Sequence, residues 1–385
     1  MKKNIFFAAI FFLLLASCTN NKKRIPNADE ISISIDLDTN EPVELLPFVS
    51  KVQYIKLETN KKDDNTLVAE IKKIILDSIN NIYVHDNLNR ILVFNKDGGF
   101  KYTISKVGNG PGEYVKIDNF ALNEVHRRIE ILDLPKRKIH CYNIQDGTFL
   151  NSFDLHQFSY SVFPIADDCY LSSLPTDLDI SGIFGVFLLD SLYQKKENIL
   201  EYSGKYPLFA QDIGIFSKIG KNKYGIYSQV ENTIIHWDNG NMEKKYTFDW
   251  KKRKSIESLR GRKYRDLSTT EKEDIAPTTF YQETNAAIIL LVSDREMVKI
   301  ILYDKATGVG QASATPIFPS HIFNIPVRTD TEGVLISVFS SDLVTDFNEY
   351  NPDNKNGLDA DLYELMVHTE VEDNPIIQII QLKSE

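Results

Sequence analysis

Three cysteines in 385 residues are too few for a disulfide-built scaffold. Cys18, Cys141 and Cys169 show no Cys-x-x-Cys and no zinc-finger spacing. Cys18 lies in the N-terminal leader. Cys141 and Cys169 read as two separate thiols, although an oxidising compartment would permit them to pair. Basic charge is also short. Lys and Arg total 44 against 54 Asp and Glu, giving a net charge of −10, which excludes a general nucleic-acid binder. The apolar run from Ile5 to Leu15 has eleven residues, below the ~20 that span a bilayer. Catalytic spacings are missing too. There is no Gly-x-Ser-x-Gly elbow and no phosphate loop. His85, His126, His140, His156, His236, His321 and His368 include no His-x-x-x-His or His-Glu-x-x-His pair. The acidic stretch Asp353 to Asp361 reads as a solvated loop. Counted from Asp353, it puts Lys355 at the third position and Gly357 at the fifth, so it fails the calcium-loop pattern. No metal and no cofactor is expected.

What is present begins with a leader. Lys2-Lys3 is a positive n-region, Ile5 to Leu15 an apolar core, and Leu15-Ala16-Ser17-Cys18 a lipobox. Residues 1–17 are therefore expected to be a lipoprotein signal peptide. Cys18 is expected to become a lipidated N-terminus held at a membrane by its acyl chains. Residues 18–45 are polar and charged and read as a tether that partly ends in a strand at Ile31 to Ile35.

From residue 46 to 385 the chain is strand-rich and repetitive. The stretch Val107-Gly108-Asn109-Gly110-Pro111-Gly112-Glu113-Tyr114 joins two copies of one grammar. Three glycines and a proline exclude a helix or a central strand, so Gly108, Gly110, Pro111, Gly112 and Glu113 form a shaped loop. No helix follows, so it is not a dinucleotide loop. On each side come a short apolar strand, an alternating strand ending in Asp, a β-branched strand and an Asp-Gly turn into a fourth strand. Asp86 and Asp133 are 47 residues apart, and Gly98 and Gly147 are 49 apart. Four short strands per period of this length is the signature of a propeller blade. The fold expected is all-β: a six-bladed β-propeller closed by pairing its N- and C-terminal strands, near residues 52–57 and 376–382. Between the fourth and fifth units, residues 253–275 lose alternation and carry Arg253, Lys254, Arg260, Arg262, Lys263 and Arg265. Ser268-Thr269-Thr270-Glu271 fits a capping box, so a short helical insertion is expected there, as a charged surface or as a docking element.

The run from Lys106 to Tyr114, followed by Ile117-Asp118-Asn119-Phe120, resembles the inter-blade motif of NHL-like propellers. With Val52 to Thr59 and Asn374 to Leu382, it is similar to the six-bladed propeller lipoproteins of Bacteroides-type bacteria. The resemblance implies that fold and an outer-membrane address. Lys22, Lys23 and Arg24 after the lipidated Cys favour the periplasmic side. Two functional readings follow. One is a binding or scaffolding propeller for a protein, peptide or glycan. The other, implied by some NHL-like propellers, is a metal-dependent lyase or hydrolase built from several blades. Asp86 and Asp133, at equivalent repeat positions, are either turn caps or part of a carboxylate ring at a channel mouth.

Overall fold

A computed structural model describes residues 29–39, 42–165, 169–174, 183–203, 206–207, 214–238, 240–295, 297–350 and 358–384. The leader, Cys18, where lipidation is expected, and the segment Asp353 to Gly357 lie outside the described residues.

The repeat grammar folds as six small antiparallel sheets. The first blade is Ile71–Leu76, Ile82–Asp86, Ile91–Phe94 and Phe100–Ile104, and the second is Asn119–Asn123, Arg128–Asp133, Lys138–Asn143 and Phe149–Asp154. The third is Ser161–Pro164, Tyr170–Ser173, Ile183–Leu189 and Lys195–Ser203; the fourth is Phe216–Gly220, Lys223–Ser228, Thr233–Asp238 and Asn241–Lys251. The fifth comprises Thr278–Glu283, Ala287–Asp294, Met297–Asp304 and Val309–Ser313. Each blade buries both faces against its neighbours, which is why the middle strands are apolar almost throughout. Ile82–Asp86 and Ile91–Phe94 are buried at every position.

The sixth blade closes the ring. Val334–Phe339 and Ile376–Leu382 pair with Val49–Lys56, so the outermost strand comes from the N-terminal part of the chain. Tyr54 faces Gln378 and Val52 faces Ile380 in this antiparallel register. An isolated bridge from Val327 to Ile336 marks the innermost strand of this blade. The strand pairing anticipated from the two chain ends is therefore present.

The segment before residue 46 is more than a spacer from Asp29 onward. Asp29–Asp36 adds a fifth strand to the fourth blade, parallel to Asn241–Lys251. Alternation explains it: Ile33 and Ile35 are buried while Ser32 and Ser34 face out. The chain then buries Leu37, Val43 and Leu45 against the fifth blade. Val43 O accepts from Ile317 N at 2.7 Å before the chain reaches the sixth blade. One stretch thus belts three consecutive blades.

Strict up-and-down order puts outer-to-inner crossings and second-to-third-strand turns at one end of the ring. Among the described residues, both inserted helical segments stand at that end. The insertion after the fourth blade forms short helical turns at Ile256–Leu259 and Tyr264–Asp266 and a helix at Thr269–Glu273. Ser268 and Glu271 make the reciprocal capping box. Its own small core joins Ile256, Leu259, Leu267 and Ile275 to Tyr206 and Val230. The basic run is mostly spent locally. Arg253 pairs with Asp294 and Asp38, Lys254 with Asp274, Arg260 with Glu257 and Arg262 with Glu271.

The second insertion corrects the loop reading of Asp353 to Asp361 at its end, where Asp359 caps a helix that Ala360 and Asp361 open. Ser341–Tyr350 and Ala360–Val367 are helices. Val344, Leu362 and Met366 bury beneath them with Phe339 and Ile376, and Asp359 caps the second helix through the N–H groups of Asp361 and Leu362.

Candidate functional site

The Gly-Pro-Gly-Glu loop lies on the elaborated end. Glu113 accepts from Gly110 N at 2.6 Å and packs over Gly108, where any side chain would collide with it. Gly112 has φ +72°, and a Cβ there would stand 2.6 Å from the Phe149 ring. Lys136 donates to the carbonyls of Gly108 at 2.8 Å and Glu113 at 2.9 Å. Tyr142 donates to Gly112 O at 2.7 Å. The loop is a packed joint between the first two blades.

Asp86 and Asp133 occupy matching places. Both are fully buried. Asp86 takes Arg90 Nε at 3.0 Å and Nη2 at 2.6 Å, the N–H groups of Leu88 and Arg90, and Ala69 N at 3.4 Å. Asp133 takes Val115 N at 2.8 Å and Lys136 N at 3.2 Å, with His140 Nε2 at 3.5 Å. Each carboxylate thus fixes a turn and the incoming inter-blade chain together. His140 is driven toward its neutral form by burial, which outweighs Asp133. Among the described residues no three His, Cys, Asp or Glu side chains come together as a metal ion would need. Cys141 and Cys169 are both free thiols, and burial pushes Cys141 up to about 12.

The constellation that sequence reasoning missed lies on the innermost strands. Lys73, in the first blade, is 2% exposed. Its ammonium donates to Asn119 Oδ1 at 2.9 Å and Phe120 O at 2.8 Å, in the second blade, and to Asp330 in the sixth. The second and sixth blades are not neighbours, so Lys73 reaches both only along the channel side of the first. Backbone pairing closes that side, with Ile74 N on Arg328 O at 3.0 Å. Arg328 crosses in the other direction. A methyl group on Gly214, before the fourth blade, would stand 3.8 Å from its Cγ. Gln282 of the fifth blade completes the crossing. It donates to Thr331 O at 2.7 Å and Val334 O at 2.9 Å, and accepts from Ser217 Oγ at 3.0 Å. Polar side chains therefore tie the innermost strands together from blade to blade, with Asn119 at the elaborated end. The signal in sequence is faint: a lysine inside the apolar strand Ile71–Leu76, and an asparagine opening Asn119–Asn123.

A second buried charge group sits between the fourth and fifth blades. Glu283 accepts from His236 Nε2 at 2.7 Å, from Lys305 Nζ at 2.5 Å and from the Tyr281 hydroxyl. Burial alone would raise its pKa, but the His236 hydrogen bond and Lys305 outweigh that and hold it at about 2. Gly225 makes this possible, because a Cβ there would collide with the Tyr281 hydroxyl and stand 2.7 Å from the Glu283 carboxylate. Lys305 is lowered chiefly by burial. A cavity of about 520 Å³ adjoins this group at the plain end, lined by Lys218, Glu332, Glu283, Thr284, Gln381 and Ser50. Lys218 and Glu332 pair at 2.8 Å beside it.

Six radial sheets closed by a shared terminal strand, with innermost strands tied blade to blade by polar side chains, define a six-bladed β-propeller. The chain belongs to the family described as a domain of unknown function, DUF4934, whose model matches residues 29–381. A crystal structure of a Bacteroides fragilis protein named as exported is similar at a TM-score of 0.71 and 20% identity, covering 92% of this chain and 99% of that one. A DUF4221-family protein of Bacteroides vulgatus is similar at a TM-score of 0.51 and 11% identity, covering 87% and 97%. No curated protein matches the sequence.

Proposed function

We propose that this protein is a lipid-anchored binding propeller of the cell envelope, held by Cys18 at the outer membrane on the periplasmic side. Its decorated end takes a protein, peptide or glycan partner. The leader grammar supports the address, and the Bacteroides fragilis neighbour, named as exported, agrees with it. The observation that carries the binding role is the asymmetry of the ring. Among the described residues short turns occupy one end, while two helical insertions, each packed on buried apolar residues, stand at the other. Variable loops on a rigid scaffold are where binding concentrates.

Two measurements test this. Metabolic labelling with an alkyne fatty acid should mark the wild type and not Cys18→Ser, and the variant should leave the membrane fraction. Labelling that persists in Cys18→Ser sinks the anchor. For binding, fractionated envelope peptides and glycans are offered to the immobilised full chain. Retention should fall on substituting the exposed Tyr264 or Leu343 at the decorated end, and stay unchanged for Ile79→Ser at the plain end. The opposite pattern overturns the assignment of the face.

A further inference from the structure

We infer that the cavity at the plain end is a second binding site, for a neutral, hydroxyl-rich ligand: a sugar residue, free or at the end of a glycan. This goes beyond the partner reading above, which concerns the other end of the ring.

The cavity holds about 520 Å³ and is built by three blades. Lys218 comes from the innermost strand of the fourth, Thr284 from the first turn of the fifth, and Glu332 and Gln381 from the sixth. Gln381 shows that the cavity is open. The strand Ile376–Leu382 has a partner on either side and is buried at every position except Gln381. An exposed side chain in the middle of a sheet needs solvent above it, and here the cavity supplies that solvent. At Gly333, with φ +63°, a Cβ would rest 3.5 Å from Gln381 Nε2 and 3.6 Å from Thr284 Cγ2. Glycine keeps a side chain out of the space between these two lining groups.

The lining selects the ligand. Small-molecule sites hold about 300–1,000 Å³ and are mostly lined by apolar side chains. Here only Ile219 and Leu382 are apolar, so an apolar ligand would strand the polar groups. Charge is matched within the wall. Lys218 pairs with Glu332 at 2.8 Å, and Glu283 with Lys305 at 2.5 Å. Lys383 is exposed, with its ammonium on Pro47 O at 2.7 Å, where water and salt screen it. An anion would meet Glu332 and Glu283, and a cation would meet Lys218, so neither sign is favoured. Hydrogen-bonding capacity of both kinds remains. The Lys218 and Glu332 side chains are 43% and 44% exposed, which leaves donors and acceptors beyond their pair. Gln381 Nε2 donates to Gly333 O at 3.2 Å, which commits Oε1 as an acceptor. Donors and acceptors side by side, with their charges matched, suit hydroxyl groups, each of which gives and takes a hydrogen bond.

The test is saturation-transfer difference NMR on the full mature chain, with glucose, galactose, mannose and N-acetylglucosamine and the methyl glycoside of each. Acetate, choline and glycine are the charged comparisons. Saturable transfer to at least one sugar is expected, and none to the charged compounds. Transfer to a free sugar alone marks a free-sugar site, and transfer to its methyl glycoside as well marks a glycan end; both support the inference. Gln381→Leu removes an acceptor from the wall and should raise the half-saturating concentration about tenfold or more. Glu332→Gln, at a half-exposed position, opens the rim pair and should also weaken binding. Ile79→Ser, at the same end but outside the lining, should titrate like the wild type. Melting temperatures report whether each variant is folded, and if Gln381→Leu is not, Glu332→Gln decides alone. No saturable transfer to any sugar, equal transfer to a charged compound, or binding unchanged in the folded lining variants would each overturn the inference.

Discussion

Lys73 shows how one side chain can serve three blades. Its ammonium bonds Asn119, Phe120 and Asp330 and has almost no exposure, so removing it takes this partner from the Asp330 carboxylate, whose side chain is only 10% exposed. Lys73→Met should destabilise the protein by about 3–5 kcal/mol in urea unfolding, the range for breaking one side of a buried pair. A loss below about 1 kcal/mol would show that the channel tolerates the unpaired acid. Glu283 makes a pH-dependent contribution. Its carboxyl lies at about 2, against 4.5 unperturbed. A lowered folded-state pKa gives stability that is complete above pH 4.5 or so and drains away as the pH falls toward 2. Glu283→Gln should flatten the acid limb of the stability curve in that window, and an unaltered limb would refute the role. None of these residues was legible as a site in the sequence. Positions 73, 119, 328 and 330 meet only after the ring closes, and no local spacing announces a contact made across blades.

Elements were more legible than sites, and for identifiable reasons. The first two blades could be read from their Asp-ended strands and Asp-Gly turns, because a turn of positive φ constrains its residues locally. Gly98 and Gly147 have φ of +88° and +70°. The helix at Thr269–Glu273 was readable from its cap for the same reason. The helices Ser341–Tyr350 and Ala360–Val367 were not: the first is dense in Asp and Asn, which mimics a loop, and the second is only eight residues long. The strand Asp29–Asp36 was visible by alternation, but its partner 215 positions away was not: Asp29 pairs with Lys244. Ile35, 3% exposed, packs against Gly310 of the fifth blade. Ile35→Ala should therefore cost about 2–4 kcal/mol and leave the fourth blade's outer edge open to pairing with other chains. Thermal melts and light scattering on the same sample would show both effects. Unchanged melting would mean that the added strand is ornamental.

At the scale of the whole molecule, closure decides everything. The ring has no end that is not also a joint, because Val49–Lys56 and Ile376–Leu382 share one sheet. Deleting residues 376–385 removes the strand between two others and opens the ring. Such a chain should lose its single cooperative unfolding transition, not merely shift it, and far-UV circular dichroism during urea titration would reveal that. A sharp transition surviving the deletion would mean that the blades hold together without the seam.

The belt formed by residues 29–45 has a temporal consequence. A polypeptide is synthesised N-terminus first, so this stretch emerges early. Its docking surfaces, at residues 244–251 and around Ile317, follow more than two hundred positions later. Contacts so remote in sequence form late and slowly. The first part of the protein to arrive is thus among the last to be seated. Until then its isoleucines, and the bare edge they will cover, must be kept from other chains.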